Sequence, residues 1–410
     1  MALTLDEHLF APGAKRLLSL DGGGVKGIVS IAFLEKIESL LKERSGRHDF
    51  RLCDYFDLVG GTSTGSLIAT LIALGHPMAD IRKKYEDWAP EIFSRPWLGY
   101  SPFGPRFSSR RLKKRAREIL QERTLESADL KTGLALIMKR VDTGSPWVLT
   151  NNPKAKYWND APDGSYMGNR YYRLADLVCA SAAAPYYFAP KRLRMVHKDR
   201  HYIEDEKGQK HKITEKHGTF IDGGVSPFNN PALKLLMLAG IKSYGFNWPL
   251  GANNVLLVSV GTGSYRMRLK PGFWTRRIPM LFAARALQGL ISDSDVLSLT
   301  LLQWLSAPRR PWEINSEIKD LAGELLGQAE QDGGAKPLLS FVRYDARLEE
   351  NWLVANCGEQ LGKTLSAEHI AGLQQLDRPD LMPGMHQVGA IAAATQVTPD
   401  DFPATFNQPS

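Results

Sequence analysis

YFDLVGGTSTGSLIATLIALG (Tyr55–Gly75) carries an apolar run into two glycines, presents one serine, and becomes apolar again. Tyr55–Val59 reads as a short buried strand, aromatic and β-branched, and Leu67, Ile68, Leu71, Ile72 and Leu74 recur at helical spacing. Between them Gly61-Thr62-Ser63-Thr64-Gly65 has the form G-x-S-x-G, which between a strand and a helix makes a tight turn that holds the serine hydroxyl outward. A side chain at either glycine would collide with the crossing strand or helix. A plain Gly-Ser-Thr loop has the same composition, so the pentapeptide alone does not decide the matter.

A second strand is expected over Arg16–Leu20, running into Gly22-Gly23-Gly24 and then a helix with Phe33, Ile37, Leu40 and Leu41 on one face. Bare amides at a helix start attract negative charge, either a phosphate or the oxyanion of an acyl-transfer intermediate. Gly22, Gly24 and Gly27 also spell G-x-G-x-x-G, but no acidic residue ends a second strand near positions 42–47, and Glu43 lies on a charged helix end. For the base, GTFIDGGVSPFNNPALKLLMLAG offers a strand ending at Asp222, the turn Gly223-Gly224, and a helix start at Asn230-Pro231. An Asx turn that stabilises its own loop is the competing reading of Asp222. A Ser-Asp-His order would need His369 or His386, and neither stands in a recognisable motif.

Asp21–Gly27 (D-G-G-G-x-[KR]-G), Gly61–Gly65 (G-T-S-T-G) and Asp222–Gly224 (D-G-G) together resemble the patatin-like phospholipases. LVCASAAAPYYFAP (Leu177–Pro190) and VLLVSVGTGSY (Val255–Tyr265) extend the likeness over roughly positions 13–265. The resemblance implies a three-layer α/β fold, a mostly parallel central sheet with helices on both faces, and a Ser-Asp dyad that works without histidine. It implies Ser63 as nucleophile, Asp222 as base, and an oxyanion hole at Gly22, Gly23 and Gly24 with Lys26 beside it, either serving the hole or only holding the loop. Residues 13–265 are then the catalytic core and 266–410 a helical C-terminal extension packed on the same domain as a regulatory region. Within that extension Leu301–Leu321, Phe341–Glu350 and Leu365–Phe402 more loosely resemble a bacterial subgroup switched on by cyclic oligonucleotides in anti-phage defence. This second likeness implies a cyclic di- or trinucleotide activator bound away from Ser63, for which Arg110, Arg111, Arg309 and Arg310 are the cations of interest, since guanidinium forks suit phosphates.

Composition sets outer bounds. The 410 residues are 43% hydrophobic, enough for a sizeable core, and no run approaches the ~18 apolar residues of a membrane span. MALTLDEHLFAPGAKR has no apolar signal region, and Cys53, Cys179 and Cys357 read as reduced core residues of a cytoplasmic protein, not as a disulfide or metal framework. No cofactor and no metal are expected. The net charge of +8 gathers in Arg106–Leu120, Lys191–His201, Lys207–His217 and Arg266–Arg277. Such runs are ordinarily solvated faces; anionic headgroups or a phosphate ligand are the alternatives, and no nucleic-acid module accompanies them. Phe273-Trp274, ahead of IPMLFAARALQGLI, reads as an interfacial hook or the start of a core helix. The expected activity is hydrolysis of membrane phospholipid esters, with peripheral contact at the inner membrane when active; a homodimer is compatible with it. The alternatives are a soluble esterase with His386 completing a triad, and a ligand-binding regulator with a vestigial site.

Overall fold

A computed structural model describes residues 3–94, 104–204, 209–266, 279–328, 335–361 and 365–407. The strands in chain order are β1 (Lys15–Leu20), β2 (Leu58–Thr62), β3 (Gly133–Arg140), β4 (Ser145–Thr150), β5 (Lys191–Arg194), β6 (Tyr202–Glu204), β7 (Lys210–Lys212), β8 (His217–Asp222), β9 (Val255–Val260), β10 (Ala307–Arg310) and β11 (Ser340–Tyr344). Strands β6 and β7 make a separate ribbon, and the rest form one sheet in the order β10-β11-β9-β1-β2-β3-β8-β5, with β4 also on β3. From β10 to β3 every neighbour is parallel, whereas β4, β8 and β5 join antiparallel.

Central strands of such a sheet are buried on both faces, so they read as continuous apolar runs whose successive residues serve different cores. Leu17, Leu58, Ala135, Leu257 and Phe341 face one core, with the helix Ala232–Gly240 and the C-terminal part of the helix Pro279–Trp304. Their neighbours Leu18, Val59, Leu136, Val258 and Val342 face the other, beneath the helices Gly27–Ser45, Thr64–Ala73, Met78–Ile92 and Met382–Gln396. The three-layer expectation therefore holds. The C-terminal extension is not only helical, because it adds β10 and β11 to the sheet edge.

One boundary differs from the sequence reading. Tyr55 ends a short helix, Leu52–Tyr55, and β2 begins only at Leu58. The reason lies in two carboxylates: Asp54 Oδ2 accepts the Arg51 amide at 2.9 Å and caps the turn. The fully buried Asp57 accepts the Arg16 amide and Nε, both at 2.8 Å, and also meets His8. The three cysteines are free and buried, as read from the sequence. Phe273-Trp274 lies outside the described residues. No described helix is long and apolar enough to cross a membrane.

Candidate active site

The carboxyl ends of β1 and β2 stand side by side, with Leu20 paired to Gly61, so the two glycine-bearing turns leave the sheet at one place. Ser63 follows β2 with φ 54° and ψ −123°, a strained conformation for a residue with a side chain. Close packing enforces it: a Cβ on Gly61 would lie 2.1 Å from the Gly65 carbonyl oxygen, and one on Gly65 would lie 2.3 Å from that of Leu20. Ser181 locks the corner, its hydroxyl accepting the Ser63 amide at 2.9 Å and donating to the Ile137 carbonyl at 2.6 Å.

Asp222 arrives from the end of the antiparallel β8, held by its amide bond to the Ala183 carbonyl at 3.0 Å. The Ser63 hydroxyl donates to Asp222 Oδ2 at 2.6 Å, and Asp222 Oδ1 accepts the Gly224 amide at 2.7 Å. Asp222 is thus both the Asx-turn residue and the serine's partner. Burial pushes its carboxyl up to about 6, although the Ser63 and Gly224 hydrogen bonds pull the other way. His386 is elsewhere, with Nε2 2.8 Å from the Glu35 carboxylate.

The glycine turn corrects the expectation for two residues. The Gly22 amide already donates to the Asn229 carbonyl at 3.1 Å, so it is not available to an oxyanion. Lys26 is buried and turned away: its ammonium donates to the Gly263 carbonyl at 2.9 Å and lies 5.2 Å from the centroid of the Tyr265 ring. Burial lowers it to about 8 against the pull of Asp345, Asp295 and Asp21, and it braces the loop from behind. The Gly23 amide makes a long bond of 3.2 Å to the Thr64 hydroxyl. Among the described residues, the Gly24 amide and the Thr64 amide, first in its helix, have no acceptor. Tyr85 donates its hydroxyl to the Gly24 carbonyl and fixes that turn.

The Patatin-like phospholipase profile matches residues 18–236, more than half of the chain. The chain belongs to the patatin-like phospholipase family. It is 31% identical over 262 residues to Patatin-07 of Solanum tuberosum and 32% over 267 residues to Patatin-15 of the same plant. Each match takes in 60% of this chain and 60% of the relative's length. Among solved structures, VipD from Legionella pneumophila overlaps 92% of this chain and 67% of its own, at 13% identity and a TM-score of 0.35. Human GIVD cytosolic phospholipase A2 overlaps 67% and 52%, at 10% identity and a TM-score of 0.31.

The patatin-like site draws on residues that the motif reading passed over. Asp295, on the helix Pro279–Trp304, accepts Asn229 Nδ2 at 3.0 Å and the Asn230 amide at 3.1 Å. Asn229 in turn holds the Gly22 amide, so one carboxylate from the extension ties the glycine turn to the turn bearing Asp222. Arg343 of β11 bonds Asp21 at 2.7 Å and Asp345 at 3.0 Å. Asn230-Pro231 reads in the sequence only as a helix start, and nothing local points to Asp295, whose sequence neighbourhood has no motif. Asp295→Ala leaves two part-buried donors, Asn229 Nδ2 and the Asn230 amide, without their acceptor, at about 1–3 kcal/mol each. We expect it to lower kcat tenfold or more with KM little changed. Parental kcat in an enzyme that merely melts earlier would reduce Asp295 to a structural role.

The four suspected arginines do not converge. Arg110 and Arg111 lie on the helix Ser109–Leu120, where Arg111 donates to Ser94 and the Glu91 carbonyl; this helix packs on the helix Leu174–Ser181, which in turn covers β3, β5 and β8. Arg309 and Arg310 sit on the opposite edge, where Arg309 donates to the Asp400 carbonyl at 3.0 Å and Arg310 lies 3.9 Å from Asp401.

Proposed function

We propose that this protein hydrolyses acyl esters of membrane phospholipids through an acyl-Ser63 intermediate. The observation that carries this reading is the 2.6 Å hydrogen bond from the strained Ser63 hydroxyl to buried Asp222. As Ser63 Oγ attacks the ester carbonyl carbon, its proton passes to Asp222 Oδ2. The tetrahedral oxyanion is received by the Gly24 and Thr64 amides, with the Gly23 amide exchanging its long bond for the stronger charged one. Collapse breaks the ester C–O bond, and Asp222 returns the proton to the departing alcohol. Water, deprotonated by the same carboxylate, then frees the fatty acid and restores Ser63. A base only moderately stronger than an ordinary carboxylate suffices because it is desolvated and already bonded to its proton donor.

Regulation by a cyclic oligonucleotide in anti-phage defence is the second part of the proposal. It draws support from the grip of the extension on the catalytic turns: the Leu376 carbonyl accepts the Val25 amide at 2.9 Å, beside the Asp295 and Arg343 contacts. A ligand bound to the extension has a physical route to the oxyanion loop. Moving such a gate from about 1% to 99% open needs a differential affinity of roughly 5.5 kcal/mol, which would have to come from phosphate contacts at Arg309 and Arg310, the two of the four arginines that lie on the extension. The test is liposome turnover by purified protein with and without a panel of cyclic di- and trinucleotides. Near silence alone and turnover with one member is the expected result. Full lipase activity indifferent to the whole panel would leave an unregulated patatin-like lipase, and binding without any turnover would favour a regulator with a vestigial site.

A further inference from the structure

We propose that the basic face of the helix Ser109–Leu120, with Tyr186 beside it, docks this protein on an anionic phospholipid bilayer. The choice of partner rests on the phospholipase reading above. On this helix Leu112, Ala116 and Leu120 are buried, while Arg110, Lys113, Lys114 and Arg117 recur at helical spacing on another side. The helix's remaining arginines are engaged: Arg111 on Ser94, and Arg115 on Glu91 and Glu118. Among the described residues no carboxylate pairs with Arg110, Lys113 or Arg117, and Lys114 is 3.9 Å from Glu118. The first turn holds cations and no acid, against the helix dipole, and like charges at this spacing repel. An ordinary solvated face mixes its signs and avoids these costs. A negatively charged surface relieves both.

The stripe is tied to the site. One stretch of chain starts at Ser181, which holds the Ser63 amide, and passes Ala183, whose carbonyl holds the Asp222 amide. It then reaches Tyr186 and ends at Ala189, whose amide donates at 3.0 Å to the hydroxyl of Ser109, the first residue of the basic helix. Tyr186 has φ 74° and is 56% exposed, held there by the Arg106 amide on its carbonyl at 2.8 Å. Its ring meets Tyr187 edge-on at 5.2 Å between centroids and lies 6.0 Å from the Arg106 guanidinium, yet more than half of this left-handed residue stays open to solvent. At a membrane interface its amphipathic ring is in its preferred place. Docking through this face would hold the stretch that contacts both dyad residues against the lipid.

Cosedimentation tests the surface without relying on turnover. Full-length Ser63→Ala protein is mixed with vesicles of phosphatidylcholine alone, or of phosphatidylcholine and phosphatidylglycerol in equal parts, at low and physiological salt. Binding should favour the anionic vesicles and weaken with salt, as the electrostatic reach shortens to about 8 Å. Replacing Arg110, Lys113 and Arg117 with Gln, which keeps helix propensity, should lower partitioning onto anionic vesicles roughly a hundredfold, about fivefold per cation. Circular dichroism checks the fold, and turnover of a monomeric short-chain ester by the same variant with Ser63 intact checks the chemistry. Tyr186→Ala should weaken binding at every salt concentration, since apolar insertion is not screened. The proposal is overturned if the parent ignores anionic vesicles or the Gln variant binds them as the parent does. It is equally overturned if the variant loses only affinity for an RNA oligonucleotide, which would make the stripe a nucleic-acid surface. Vesicle binding by a chain with no turnover would keep the docking face and discard the hydrolase.

Discussion

Ser63→Ala and Asp222→Ala are each expected to bring ester hydrolysis down by about 10⁴-fold or more, with the double variant no worse than either single one, because nucleophile and base act as a unit. His386→Ala should keep most of the activity, since its imidazole serves Glu35. A folded but dead His386→Ala enzyme would replace the dyad with a triad. The pH dependence has a definite sign. Asp222 must be unprotonated to accept the serine proton, so kcat/KM should be level above its pKa of about 6 and fall on acidification below it. Stability runs the other way. A carboxyl raised by burial favours the protonated native state, so its contribution is fully present below its ordinary pKa and is lost as pH rises through about 6. Asp222→Asn should therefore be inactive at neutral pH yet at least as stable as the parent, whose charge is buried there. Initial rates and thermal melts on the same samples check both halves, and an Asn variant that melts much earlier at neutral pH would contradict the burial argument.

Gly24→Ala is expected to cost on the order of 100-fold in kcat, the typical loss of an oxyanion donor being about 3 kcal/mol. Gly24 has φ 57°, where a residue with a Cβ is strained by about 1–2 kcal/mol. The new methyl would also stand 2.2 Å from the Leu376 carbonyl oxygen, so either the glycine turn or the C-terminal segment must move. Gly46→Ala is the control. Its φ is 64°, but a Cβ there meets nothing within 4 Å, so it should lower the melting temperature and leave kcat alone. Equal kcat for Gly24→Ala and the parent would show that this amide does not face the reaction.

Much of the candidate site was readable because it is local. Gly61, Ser63 and Gly65 are bound to one another by the steric demands of a single turn, and Asp222 by its own Asx bond to Gly224, so short motifs carry them. The continuous apolar runs of β1, β2 and β9, whose successive residues enter different cores, likewise mark strands buried on both faces. The candidate oxyanion loop was only partly legible. Three glycines signal available amides, but whether each is free depends on acceptors far along the chain: Asn229 occupies Gly22, and Gly263 turns Lys26 away.

The Gly-Thr-Ser-Thr-Gly corner at Ser63, the Asp222-Gly-Gly turn and the α/β frame were all legible in the residues alone, since each is written in backbone sterics or periodicity within a few positions. Tertiary packing alone settles which amides remain open, that Asp295 and Arg343 from the extension hold the turns around Ser63 and Asp222, and that the helix carrying Arg110 packs on the helix Leu174–Ser181 while Arg309 lies on edge strand β10. Those outcomes depend on hydrogen bonds and charge pairs between segments far apart in the chain, and long-range pairing leaves no periodic trace in the residues that make it.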